Sequence, residues 1–386
     1  MSLKLLLGSG ITFFYYFVFV GISFFFSPFL IAKGMNPITI GYLTSFSFIL
    51  IIITYFILGF LSDKLLSNKI ILILNFILTI LVFLTLIITN NFIILAICYL
   101  LSFVLFIVLA PILDGFILTE VSNNRYNIVR GCGSLGAALS FSVNTFYLNT
   151  TYLNLILLNI LLICLMLLIL LVFKSSTKVQ TSKQTKIQLS KLSSLKYLIT
   201  NKELLFICLL TFLTYGSLKA DDAYQYLYYQ NYALLLPLTI SIVGTLSMFF
   251  ESFVMSFSHL LPKVNKWLNL IIAISFLLVI DLLKFLFYDV KIIVCLSYIF
   301  IGLFIGLFVP TVIKMLNSNP QTILKNTSLS LYQVSISLGG GILGFITTTY
   351  LKFNGFLPNI YFLHALFIGI ALILVLGFYT FTKNSK

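Results

Sequence analysis

Eight ionisable side chains stand inside long apolar stretches of this 386-residue chain: the acids Asp114, Asp221, Asp222, Glu251 and Asp281, and the bases Arg130, Lys219 and Lys284. Placing a charge in hydrocarbon costs about 2.5–3.5 kcal/mol or more, so such groups are expected to face a bundle interior or a water-filled cavity. The chemistry open to them is to hold a polar solute or to carry a proton. Lys219 and Asp222 are spaced i, i+3, as are Asp281 and Lys284, and each pair can meet on one helix face. Asp114 and Arg130 form a third pair in this reading. Asp221 and Glu251 are left over. Asp221 adjoins Asp222 and can share Lys219. Glu251 has no base within two turns of its own helix. A carboxyl without a cation in apolar surroundings favours its neutral form, the property that a proton carrier needs. Two plainer readings stand beside these: Asp114 and Arg130 as a purely structural pair, and Glu251 hydrogen-bonded to Ser or Tyr across a helix interface.

The elements that must position these groups follow from composition. Apolar residues make up 61% of the chain and charged residues 8%, against roughly 25% charged in a soluble domain. The apolar residues come in blocks of the length that crosses a bilayer, about 20 residues each. The blocks predict twelve spanning helices at 6–32, 38–62, 70–89, 92–119, 130–149, 152–173, 204–232, 236–260, 268–288, 291–316, 327–351 and 359–381. The run after Lys4 is too long for a signal peptide and is read as the first span. The expected organisation is a six-helix bundle over 1–173, a basic linker over 174–203 and a second six-helix bundle over 204–386. Two parallel six-helix repeats place a substrate near the bilayer midplane between them.

The net charge of +14 would suggest nucleic acid in a soluble protein. Here most Lys and Arg residues lie in short connections. Seventeen fall on the side of the termini and the central linker, and three, Lys33, Lys291 and Lys352, on the other. The positive-inside rule then puts both termini and the linker in the cytoplasm, and the protein in a cell membrane. The linker lysines are expected to set topology and to touch anionic lipid. The low-GC style of the composition, rich in Phe, Ile, Leu, Lys and Asn, hints at a bacterial cytoplasmic membrane.

Other patterns carry less. Cys98, Cys132, Cys164, Cys208 and Cys295 fall in apolar blocks without a CxxC pair and read as filler. His259 and His364 lack ligand spacing, so no metal or cofactor is expected. Gly131-Cys132-Gly133-Ser134-Leu135-Gly136 spells GxGxxG. No strand precedes it and no acid follows about 20 residues on, so it is not a dinucleotide fingerprint. On a spanning helix its small residues permit close packing. The same role is expected of Gly339, Gly340, Gly341 and Gly344. No nucleophile–base constellation appears, so an enzyme is not expected.

One segment resembles a known family. Gly59-Phe60-Leu61-Ser62-Asp63-Lys64, at the end of the second helix, is similar to the helix 2–3 loop of the major facilitator superfamily. The resemblance makes Gly59, Asp63 and Lys64 a cytoplasmic-gate motif. The second half of the family pattern, a further Gly and paired bases, is replaced here by Leu66, Ser67, Asn68 and Lys69. The aromatic first helix (Phe13, Phe14, Tyr15, Tyr16, Phe24, Phe25, Phe26) resembles the lactose-permease-like branch, related to oligosaccharide and nucleoside symporters. Ala110-Pro111-Ile112-Leu113-Asp114 and Arg130-Gly131-Cys132-Gly133 do the same. That resemblance implies that Asp114 and Arg130 face each other across a substrate cavity. It also makes Glu251 the helix-eight acid of that branch. The second half departs from lactose permease: 291–316 lacks its His and Glu, helix five lacks its Trp, and Lys219 stands where an Asp would be.

The reading that follows is an all-α membrane transporter of major facilitator fold, a monomer. It would carry a small polar organic solute (sugar, nucleoside or organic acid) in symport with protons. Asp114 and Arg130 would bind the solute. Glu251, with Asp221 and Asp222, would carry the proton, and Lys219, Asp281 and Lys284 would serve as charge partners. The alternative is a proton-antiport exporter of drugs or metabolites, disfavoured because helix five has no Gly-Pro pair. A non-transporting receptor is less favoured, since it would call for a soluble domain or long tails.

Overall fold

A computed structural model describes residues 3–64, 66–121, 123–150, 152–173, 201–257, 265–317 and 325–384. Residues 174–200 of the basic linker, and His259, lie outside them. The described chain is helical throughout. The first half holds α1 (Leu3–Ala32), α2 (Pro37–Lys64), α3 (Asn68–Ile88), α4 (Phe92–Ile107), α5 (Leu109–Glu120), α6 (Asn123–Thr150) and α7 (Tyr152–Val172). The second half begins with α8 (Lys202–Ala220), which continues as a 3-10 turn (Asp221–Ala223), a short α turn (Gln225–Leu227) and a π turn (Tyr228–Tyr232). Then come α9 (Pro237–Phe257), α10 (Lys266–Leu286), α11 (Lys291–Asn317), α12 (Lys325–Asn354) and α13 (Asn359–Asn384).

Polar residues at the ends of the apolar runs start and stop these helices. The side chains of Ser67, Asn91, Asn201 and Asn265 accept from the first free backbone N–H groups of α3, α4, α8 and α10, as N-caps do. Gly34, at φ 88°, ends α1 in the left-handed conformation that glycine adopts without strain. Each helix then buries one face and leaves the other to lipid. On α3, Ile71, Leu72, Phe76 and Phe83 are buried, while Leu74, Ile77, Leu81 and Leu84 point outward.

Eleven spans among the described residues are long and apolar enough to cross a membrane, with α4 and α5 together making one. The expected fifth span, α6, falls outside that set on composition alone. Its 28 residues reach roughly 42 Å at 1.5 Å per residue. It is less apolar because it packs between α1 and α9, and that interior position shelters Ser140, Asn144 and Thr145. It also begins at Asn123, seven residues before the expected start.

The two halves repeat one packing scheme. α1 packs most extensively on α6, and α8 on α12. Likewise α2 packs on α4 and α9 on α11, while α3 packs on α7 and α10 on α13. With α4–α5 counted as one span, these are equivalent pairs in two six-helix repeats. The closest approaches use glycine. A Cβ on Gly136 would fall on the Phe13 backbone carbonyl, and one on Gly216 would lie 2.6 Å from Gly339 Cα. The glycine run in α6 is therefore a packing surface for α1.

Between the halves, α2 lies on α12 and α6 on α9. Among the described residues, the side-chain hydrogen bonds that join them gather at one end. Tyr42 Oη meets Thr349 Oγ1 at 3.2 Å, Ser142 Oγ meets Thr245 Oγ1 at 3.2 Å, and Tyr224 donates to Thr348 within the second half, directly over Gly41. At this same end Phe24 packs edge-on to Phe141 (5.0 Å) and Tyr226 (5.8 Å) and stacks on Tyr298 (6.2 Å). All four rings are buried. They form an aromatic seal where the last turns of α1 meet the continuation of α8 and the start of α11.

Candidate functional site

Below that seal, charged groups from both halves approach one another. The span made by α4 and α5 breaks at Val108, three residues before Pro111. Proline has no N–H to give to the carbonyl four residues back, here that of Ile107. The Tyr15 hydroxyl takes up the slack, donating to Phe106 O at 3.0 Å and reaching Ile107 O at 3.5 Å. The kink is thereby bonded to α1, and Asp114 lies on the turn after Pro111.

Arg130, about one turn before Gly133 and two before Gly136, lies where α6 touches α1. Its guanidinium sits over the Tyr16 ring, 4.1 Å from the centroid, a cation–π geometry. Asp114 and Arg130 both lie near enough to Tyr15 and Tyr16 to act on their hydroxyls. Tyr16, Asp114 and Arg130 are all half-buried. Ionisable groups deep in a bundle are expected to face its interior or a water-filled cavity rather than lipid.

The second half supplies the opposing wall. Lys219 and Asp222 meet at 2.9 Å where α8 runs into the 3-10 turn, the contact that the i, i+3 spacing allows. The Lys219 ammonium also points at the Phe19 ring of α1, 5.8 Å from its centroid. Glu251 of α9 is half-buried and feels the charges of both Arg130 and Lys219. Its cations come from neighbouring helices, which spacing along α9 could not show. Asp114, Arg130, Glu251, Lys219 and Asp222 thus belong to one neighbourhood with Tyr16 and Phe19.

Asp221, Asp281 and Lys284 do not join it, and their pairing differs from the expectation. Lys284 makes its ion pair with Asp221, at 3.6 Å, and not with Asp281 one turn back on its own helix. Asp221 is therefore not left without a cation. It also accepts from the Tyr361 hydroxyl, at 3.0 and 3.2 Å. The reason is the break after Ala220. Asp221 turns away from Asp222 there, toward α10 and α13, and the long lysine reaches it across the bundle. No local signal in the sequence identifies Tyr361.

The cytoplasmic-gate residues Gly59, Asp63 and Lys64 lie in the last turns of α2, and their side chains are outside the described set.

Comparison with known proteins agrees with this architecture. The fold is similar to that of a solved nucleoside transporter, NupG. A structure of a NupG point mutant gives a TM-score of 0.82 at 13% identity, covering 97% of this chain and 99% of that one. A second NupG structure gives 0.75 at 15% identity, over 99% and 100%. A POT family transporter in complex with a thioalcohol-conjugated peptide gives 0.75 at 14% identity, over 98% and 96%. At these identities the likeness is one of fold. No curated protein sequence matches the chain. The family model described as Major Facilitator Superfamily matches residues 8–345, and with two six-helix repeats closed around a charged interior the chain belongs to that superfamily of membrane transporters.

Proposed function

We propose that this protein is a proton-coupled symporter of the lactose-permease-like branch. It imports a small polar organic solute by alternating access, and nucleosides are the first class to try. The observation that carries the reading is the meeting of Asp114, Arg130 and Tyr16 from one half with Lys219, Asp222 and Glu251 from the other. A solute bound there touches both halves, so its presence bears on how they close. The carboxylates and the guanidinium suit hydroxyls and polar ring atoms, and Tyr16 and Phe19 offer flat faces for a ring. A nucleoside has both features, and a similar fold carries nucleosides in NupG. Asp114 and Arg130 are the solute ligands in this reading, and Glu251 is the proton carrier, with Asp222 tied to Lys219 beside it. The charge count in the connections puts both termini and residues 174–203 in the cytoplasm, where the linker lysines meet anionic lipid. The aromatic seal then faces outside. Gly59, Asp63 and Lys64 would belong to the cytoplasmic gate, and the working unit would be the monomer.

The test is uptake into proteoliposomes of labelled nucleosides, sugars and organic acids, with and without an imposed pH gradient. A solute that accumulates only when the outside is acidic supports the proposal. Uptake of the true solute that ignores the gradient and an uncoupler would refute proton coupling.

A further inference from the structure

At the sealed end of the second half lies a set of charges that the solute site does not use. Asp221, Asp281 and Lys284 are all buried, at 2%, 5% and 1% exposure. Two carboxylates face one ammonium, so with all three ionised the set carries one uncompensated negative charge inside the bundle. Asp281 has neither a hydrogen bond nor an ion pair among the described residues, yet it is close enough to feel both Asp221 and Lys284. An enclosed carboxylate in that position needs a counter-charge or a proton.

The lysine is placed to serve either acid. Its ammonium lies 3.6 Å from Asp221 Oδ2, beyond hydrogen-bonding distance. It is cradled instead by rings, 4.5 Å from the Tyr361 centroid and 5.7 Å from that of Tyr229. Asp281 stands one helical turn away on the same face of α10. The other titratable groups facing the set are few. From the continuation of α8 there are Asp222, which adjoins and acts on Asp221 and is tied to Lys219, and Tyr228, which donates to Lys284 O at 2.7 Å and also feels Asp289, beyond α10. From α11 there is Tyr298. From α13 there are Tyr361 and His364, the latter bonded through Nε2 to Thr347 Oγ1 at 3.0 Å.

Asp221 is also the hinge point of the seal. It ends α8 and starts the 3-10 turn. The segment beyond it carries Tyr226, which packs on Phe24 and Phe25, and Tyr229, which stacks on Tyr298 at 4.7 Å. Holding Asp221 with Lys284 and Tyr361 holds that segment in place.

We propose that Asp281 is a proton-binding site that latches the aromatic seal: with Asp281 protonated, Lys284 holds Asp221 and the seal is closed, and when Asp281 loses its proton it draws Lys284 away and the seal is freed to open. One proton moves on or off a carboxylate oxygen and nothing else changes covalently. The latch needs alternating access, but not the assignment of Glu251. The closed state binds one more proton than the open state, so raising pH favours opening. Between the protonation midpoints of the two states, the open-to-closed ratio changes up to about tenfold per pH unit.

The test uses spin labels on Ile88→Cys and Phe353→Cys, exposed positions at the sealed end of each half, in full-length protein whose native cysteines have been replaced. Pulsed-EPR distances are measured in detergent at several pH values. The proposal expects a longer-distance population that grows as pH rises. In Asp281→Asn, which mimics the protonated acid, the seal should stay closed at every pH. In Asp221→Asn, which removes the competitor for Lys284, the long-distance population should dominate even at low pH. In a Glu251→Gln background, Asp281→Asn should still abolish the pH response that remains, which separates this latch from the coupling residue. A wild type without pH response, or an Asp281→Asn variant that retains it, overturns the proposal.

Discussion

Three glycines of one motif should respond very differently to the same small change. Gly136→Ala adds a methyl group where the Phe13 backbone stands, its carbonyl carbon 2.9 Å away. A backbone cannot rotate aside, so α1 and α6 must separate, and overpacking of this kind costs about 1–3 kcal/mol. Gly133→Ala meets side chains instead, Tyr16 Cδ2 at 2.6 Å and Thr12 Cγ2 at 3.1 Å. The Tyr16 ring can yield, so the stability cost is smaller, on the order of 1 kcal/mol. Because that ring carries Arg130, solute affinity should fall more than stability does. Gly131→Ala meets nothing within 4 Å, and replacing a mid-helix glycine stabilises by roughly 0.5–1 kcal/mol. The assay is the fraction of detergent-solubilised protein that survives heating, read by size-exclusion chromatography, with solute binding measured in parallel. The order of stability should be Gly131→Ala, then Gly133→Ala, then Gly136→Ala. A Gly136→Ala protein as stable as the parent, or a Gly131→Ala protein as damaged as Gly136→Ala, would refute the packing argument.

Two further outcomes are expected. Cysteines introduced in residues 174–200 and at both termini should react with an impermeant reagent only after the cells are opened. Labelling of the linker from outside intact cells would reverse the orientation. Asp114→Asn and Arg130→Gln should each lose solute affinity in a protein that still folds. A purely structural pair would instead cost each single variant roughly 3–5 kcal/mol of stability, and the double variant would regain transport.

The span positions were legible because lipid demands long apolar runs, and those runs end at Asn, Ser and Gly residues that cap helices. The places where the chain departs from straight helices were not, although one of them carried a signal. Pro111 announces the kink at Val108, but the hydroxyl of Tyr15 that bonds the carbonyls at the kink comes from a helix about 90 residues away. The break after Ala220 has no Pro or Gly to mark it. It is held by bonds made at a distance, Asp221 to Tyr361 and Lys284, and Tyr224 to Thr348. The same distance misled the pairing of Lys284: spacing offers Asp281, whereas the fold brings Asp221 closer. Lys219 and Asp222 do meet, because the 3-10 turn carries the helical path on for one more turn beyond α8. For Glu251, neighbours on its own helix are uninformative, since the bases near it belong to α6 and α8.

The central claim is that a carboxyl between the halves couples solute movement to protons, and Glu251→Gln tests it most directly. Gln has the shape of the protonated acid but cannot release the proton. In proteoliposomes the variant should exchange labelled solute for unlabelled solute at a rate near the parent's, and should fail to accumulate it when the outside is made acidic. A Glu251→Gln protein that concentrates solute at the parent's rate under the same gradient would contradict the account.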